Sequence, residues 1–218
     1  MSNSVILEKS ETVKSTTLAE HDQLVSHILG DPSGLHFKFL AGGRIHSICQ
    51  GKDFLLNLIL GCPLSGGLQR LYVELDFAGS KTVVPVMGPG AAVSFAVNDQ
   101  QALWRTEADK VTIESRLSLN PSGKGWTLEV SVENNGDSAL SWRAFHGLDV
   151  GLAHVNAVRT NESYTSQYLD HRALDHSSYG KVIATRQNLA VDGKHPVLLQ
   201  ACLEGCAEFA SEGRDVFG

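Results

Sequence analysis

The chain has 218 residues, 42% of them hydrophobic and only 19% charged, with 21 glycines and two methionines. Such a length buries one large core without help from disulfides or metals, and this composition excludes disorder as a description of the whole chain. Eighteen Lys and Arg against 24 Asp and Glu leave a net charge of -6 with no basic cluster, which argues against nucleic acid as a partner.

The opening stretch from Met1 to Lys9 has three consecutive apolar residues, too few for a signal-peptide core, and no later run reaches membrane-spanning length. The expectation is a cytoplasmic protein with no membrane partner. Residues 1–34 read as an N-terminal segment in which Thr17 to Leu29 sets Leu18, Leu24, Val25, Ile28 and Leu29 on one side of a short helix, stopped by Gly30-Asp31-Pro32. From residue 35 to 218 the pattern is that of a sandwich domain. Leu35 to Ala41 and Arg44 to Cys49 flank Gly42-Gly43, which predicts a hairpin with a two-residue primed turn.

Alternation of apolar and polar residues marks half-buried strands, because successive side chains point to opposite faces of a sheet. Leu71, Val73, Leu75 and Phe77 alternate with polar residues, as do Val111, Ile113, Leu117 and Leu119, then Trp126, Leu128, Val130 and Val132. Asn120 to Gly123 reads as the hairpin turn between the last two, and Glu133 to Ser138 as the turn leading into a strand over Leu140 to Leu148. Meander connections are expected throughout. Residues 197–210 fit period two better than a helical stripe, with Leu199, Ala201, Leu203, Ala207 and Phe209 on one face. The fold class that emerges is all-β, a large antiparallel β-sandwich with a short N-terminal helix.

Cys49, Cys62, Cys202 and Cys206 match no paired zinc spacing and read as reduced, mostly buried structural thiols. Gly88-Pro89-Gly90 and Ser65-Gly66-Gly67 lack the spacing and the strand-to-helix context of a phosphate loop, so they are turns. Asp149 points away from His146 by strand parity, which makes it a hydrogen-bonded structural aspartate rather than half of a dyad. The densest polar cluster runs from Ser163 to Tyr179, where alternation is weakest. Its pairs Asp170-His171 and Asp175-His176 suggest an acid-base couple or metal ligands, but histidines five apart do not share a helical face, and no metal or cofactor is expected. Tyrosines that stack on pyranose rings, beside Gln, Asp and His that bind hydroxyls, suit sugar recognition. A plain polar loop with turn-capping histidines is the competing reading.

Several stretches resemble the N-terminal β-sandwich domain of the β-1,2-oligoglucan phosphorylases of glycoside hydrolase family 94. They are Gly43-Arg-Ile-His-Ser-Ile-Cys-Gln-Gly51 with Leu56-Asn57, Leu148-Asp-Val-Gly-Leu-Ala153, Tyr164-Thr-Ser-Gln-Tyr-Leu-Asp-His171, Gly193-Lys-His-Pro196, and Ala210-Ser-Glu-Gly-Arg-Asp-Val-Phe-Gly218. The tyrosine-rich motif is the most specific. Ser211-Glu212 stands where the family usually has a Thr-Asp pair.

The resemblance implies a sandwich of the galactose-mutarotase-like (supersandwich) type, truncated at its C-terminal end. In the family such a domain precedes an (α/α)₆ barrel in which an aspartate acts as general acid while phosphate attacks the anomeric carbon with inversion. No barrel motif occurs here, and 218 residues of β pattern leave no room for one. The chain is accordingly expected to be the non-catalytic sandwich of such a phosphorylase, a glycosyltransferase in reaction type. Its expected partners are the barrel of its parent protein, a β-glucan oligosaccharide and a second subunit in a homodimer. Tyr164, Gln167, Tyr168, Asp170 and His171 are the candidate substrate-binding or barrel-facing residues, and no catalytic residue is assigned. A stand-alone carbohydrate-binding module and an aldose epimerase are the alternatives.

Overall fold

The computed structural model describes residues 6–9, 25–121 and 125–211. In chain order the elements are β1 (Ile6–Lys9), β2 (Val25–Gly30), β3 (Leu35–Leu40), β4 (Arg44–Gln50), β5 (Phe54–Leu55), β6 (Gln69–Phe77), β7 (Ser80–Met87), β8 (Ser94–Val97), β9 (Gln101–Ala108) and β10 (Val111–Leu119). They continue as β11 (Trp126–Asn134), β12 (Ser141–Leu148), β13 (Ala153–His154), α1 (Val155–Thr160), α2 (Glu162–Ser166), β14 (Leu169–His176), β15 (Gly180–Gln187) and β16 (Val197–Ala201). The strands form antiparallel sheets, so the chain is an all-β sandwich protein. Among the described residues no helix is long and apolar enough to cross a membrane.

The chain divides into two compact units, one of residues 1–52 and 60–148, the other of residues 53–59 and 149–218. In the first unit one sheet has the order β1-β8-β9-β10-β11 and another the order β12-β6-β7. Strands β2, β3 and β4 form an antiparallel ribbon. Each inner face is made of the residues that alternation singled out. Leu71, Val73 and Leu75 of β6 are buried, as are Ile113 and Leu117 of β10.

The centre of this unit is aromatic. Phe39 lies 5.4 Å from Phe95 and 5.9 Å from Trp104, and Phe37 meets Trp126 edge to face at 5.2 Å. Such tilted pairs suit the ring quadrupole and add to the burial of large apolar area. A buried indole N–H must find an acceptor, and that of Trp104 donates to the Gly43 carbonyl at 3.0 Å. Gly43 has φ 74, and a Cβ at that position would overlap the Phe95 ring and stand 2.6 Å from the Trp104 indole nitrogen. Only glycine fits both requirements.

Four sequence expectations are corrected here. The proposed helix over Thr17 to Leu29 falls partly on residues 17–24, outside the described residues, and Val25 to Leu29 belong to strand β2. Pairing with β3 buries Leu29 and leaves Ile28 exposed, a period of two that the helical count had missed. The Gly42-Gly43 hairpin forms, but through a 3-10 turn over Ala41–Gly43 and with a register shift at Lys38/Phe39. The meander ends at β11, because β12 pairs with β6 in another sheet. Finally, strand structure near the C-terminus stops at Ala201, leaving Leu203, Phe209, Cys202 and Cys206 exposed outside any strand. The strand β10 pairs with β11 as expected, while residues 122–124 of its turn lie outside the described residues.

The other cysteines differ among themselves. Cys49 is buried and Cys62 is half-buried. Burial works to raise the Cys62 thiol, but hydrogen bonds from Ser65 and Leu64 outweigh it and leave the pKa below its ordinary value.

On the outer face of β12-β6-β7, Arg143 reaches Glu74 Oε1 at 2.7 Å through Nη2 and 3.1 Å through Nε, and Lys81 reaches it at 3.2 Å. The Arg143 hydrogen bond is the largest influence holding the Glu74 carboxyl below its ordinary pKa, with Lys81 assisting against desolvation. A depressed folded-state pKa stabilises above the unfolded carboxylate range and that contribution is lost as pH falls through the folded value. Arg143→Ala is therefore expected to move the Glu74 titration, followed by NMR, to higher pH and to reduce stability at neutral pH but not in acid where Glu74 is protonated.

Leu117 and Leu128 face each other across β10 and β11, yet Leu117 is fully buried and Leu128 only half-buried. Leu117→Ala is expected to cost about 2–5 kcal/mol in urea unfolding, and Leu128→Ala distinctly less because part of its surface is wet already.

Candidate functional site

The second unit is organised around a segment borrowed from earlier in the chain. Asp149 Oδ2 accepts the backbone N–H groups of Leu58 and Ile59, each at 2.8 Å. Gly151 N–H donates to the Leu56 carbonyl at 2.7 Å, Val155 N–H to that of Asp53 at 2.8 Å, and β13 pairs with β5. The approach is so close that a Cβ on Gly151 would lie 2.6 Å from the Asn57 carbonyl oxygen. Asp149 is thus the hydrogen-bonded structural aspartate expected from the sequence, although it lies just past the end of β12, where strand parity does not apply.

From this anchor the chain enters the polar cluster through two short helices. His154 Nδ1 accepts the Asn156 N–H at 3.1 Å and caps α1, and Asn161 Oδ1 accepts the Tyr164 N–H at 2.8 Å and caps α2. Thr165 turns inward and is buried, while Tyr164 and Gln167 are exposed. Tyr164 and Tyr168 are four positions apart and therefore neighbours. Their rings meet at 5.0 Å and 60°, with the hydroxyls 3.1 Å apart. That hydroxyl contact holds the Tyr168 phenol above its ordinary pKa. The two rings make a partly open aromatic surface with a shared hydroxyl at its rim.

The two remaining predicted residues separate. Strand alternation sends Asp170 and His171 to opposite faces of β14. Asp170 binds Arg172 at 2.9 Å, and His171 Nδ1 meets the hydroxyl of its cross-strand partner Thr185 at 2.9 Å. The second pair separates in the same way, with Asp175 bound to Lys181 at 2.6 Å, while His176 accepts the Ser178 N–H and stacks on Tyr179 at 4.8 Å. Neither Asp-His pair forms an acid-base couple. Among the described residues no group of three or more potential ligands is placed to hold a metal ion.

What sequence reasoning did not find is the polar core that supports the tyrosines. Gln187 is fully buried, and its amide donates to the carbonyls of Gly151 at 2.9 Å and Thr165 at 3.2 Å, while its carbonyl accepts the Leu189 N–H at 2.9 Å. One side chain thereby ties the loop after β12, the helix bearing Tyr164 and the exit of β15. The available signal was an uncharged amide ending an alternating segment, which composition alone does not distinguish from a surface residue. Gln187→Leu is expected to leave both carbonyls without that donor, lowering stability by about 1–3 kcal/mol and raising amide exchange at Leu189. Unchanged exchange there would show that the amide is dispensable.

A family model described as the SOGP N-terminal domain matches residues 38–218. Among curated proteins, a 1,2-beta-oligoglucan phosphorylase from Listeria innocua serovar 6a is 28% identical over 167 residues, covering 77% of this chain. This chain spans 14% of that relative's length.

Proposed function

The chain belongs to the family of SOGP N-terminal domains, and on that premise we propose that it is the non-catalytic sandwich of a phosphorylase acting on β-1,2-linked glucans. The observation that carries this reading is the match of most of the chain to a part of a protein named 1,2-beta-oligoglucan phosphorylase. The parent reaction is inverting phosphorolysis of the glycoside hydrolase family 94 type in the cytoplasm, and its chemistry belongs to a barrel that this chain partners. The role of this domain is to present side chains to that barrel or to the glucan.

The Tyr164 to His171 segment is the surface for that role. Tyr164 and Tyr168 present aromatic area to a pyranose face or to a covering surface, and Gln167 stands exposed beside them. Asp170 is held by Arg172 and contributes its free oxygen edge, whereas His171 serves mainly to brace β14 against β15 through Thr185. An epimerase would need a histidine and a carboxylate converging on one sugar carbon. The partners found for both Asp-His pairs favour the accessory role over that one.

The 218-residue chain, incubated with β-1,2-linked glucose oligomers and inorganic phosphate, is expected to release no glucose 1-phosphate above a heat-denatured control. Release by the chain would overturn the non-catalytic assignment. Tyr164→Ala is expected to change stability by no more than about 0.5 kcal/mol, since the ring is exposed, and to weaken calorimetric binding of the same oligomers or phosphorolysis by a barrel-containing form. A variant that loses stability but neither binding nor turnover would make the tyrosine a packing residue.

A further inference from the structure

Strand β6 turns Gln69, Leu71, Val73 and Leu75 to one face, and all four are buried, Gln69 to 2% exposure. An amide at the head of an apolar stripe needs partners, because a donor or acceptor taken out of water and left unpaired costs free energy. Among the described residues neither Oε1 nor Nε2 of Gln69 meets a hydrogen-bond partner. The side chain lines a cavity of about 20 Å³, measured as the space open to the centre of a water-sized sphere.

The walls explain why no other side chain completes this amide. Three glycine-bearing turns converge on the cavity, bringing Gly43, Gly66 and Gly88 to it. A Cβ on Gly43 would overlap the Phe95 ring, and one on Gly66 would stand 2.4 Å from the carbonyl carbon of Gly88. Both positions are therefore closed to any residue that could bring a polar group to Gln69. Met87 and Val93, which also line the cavity, are apolar.

We propose that this cavity binds one ordered water as a fixed part of the fold, with the Gln69 amide as its main ligand. Size and chemistry both select water. A buried water needs roughly 10–15 Å³ of space and two to four polar partners, whereas a sugar ring is several times too large for the cavity. A hard cation requires several oxygen ligands, and Gln69 offers one. An anion would pair with the amide nitrogen and leave the amide oxygen unpaired beside it. Water matches both atoms. It accepts from the N–H that lies syn to the oxygen and donates to Oε1, keeping one proton and one lone pair for the backbone of the turns. The water stands in for the side chain that the two glycine positions exclude.

The test is made on the 218-residue chain in solution. Oxygen-17 magnetic relaxation dispersion counts the waters that exchange slowly with bulk, and Gln69→Met, which keeps the length of the side chain and removes both polar atoms, is expected to lower that count by one. In the unaltered chain, Overhauser contacts at the water frequency are expected to reach the Met87 and Val93 methyl groups, which carry no exchangeable proton. A count unchanged in a Gln69→Met variant that folds by circular dichroism would overturn the proposal. So would an unaltered chain in which neither methyl shows the contact, and xenon-induced shifts at those methyls would then identify the cavity as dry. The methyl contacts are read without any substitution, so they decide the matter even where Gln69→Met fails to fold.

Discussion

The second unit depends on one carboxylate and the backbone groups it satisfies. Residues 53–59 are supplied from far upstream, and past the two-residue strand β5 their N–H groups must find other partners once they are removed from water. Asp149 accepts two of them from Leu58 and Ile59. The chain then runs close enough for Gly151 to donate to Leu56 and for β13 to pair with β5. The helices that present Tyr164 and the hairpin that follows are built outward from that anchor. A charged acceptor is well suited to the task, because hydrogen bonds to an ionised group are stronger than neutral ones.

The first unit solves a different problem. Its sheets bury large aromatic rings, and the polar handle of the largest, the Trp104 indole, needs an acceptor within the core. Gly43 provides it because a residue without a Cβ lets the turn pass against Phe95 and Trp104 together. The same unit is open at its edges, where Trp142 and the inner residues of β11 remain partly wet. Core burial and edge exposure are thus separate properties: the apolar inner residues of β6 and β10 are buried although the edge strands beside them are partly exposed.

The proposed accessory role and the exposed tyrosines fit one physical picture. A surface that presents aromatic area to another molecule cannot also be the packing that holds its own helix in place. In this chain the two duties fall to different residues. Tyr164 and Tyr168 face outward, while Thr165 and Gln187 hold the helix from within. The hydroxyl contact between the tyrosines fixes their mutual orientation.

Alternation in the sequence was enough to determine the strands β6, β10 and β11, their inner faces and the all-β class, because burial of one sheet face imposes period two on local residue order. The isolation of the tyrosine-rich segment, where alternation breaks, was legible for the same reason. The helical count over Val25 to Leu29 failed because five residues satisfy both periods, and only pairing with β3 separated them. The partner of β12, the excursion of residues 53–59 and the role of Gln187 were decided by tertiary structure alone. Each depends on groups brought together from distant positions, and a buried amide or an edge strand looks locally like any other polar residue or alternating segment until its neighbours are in place.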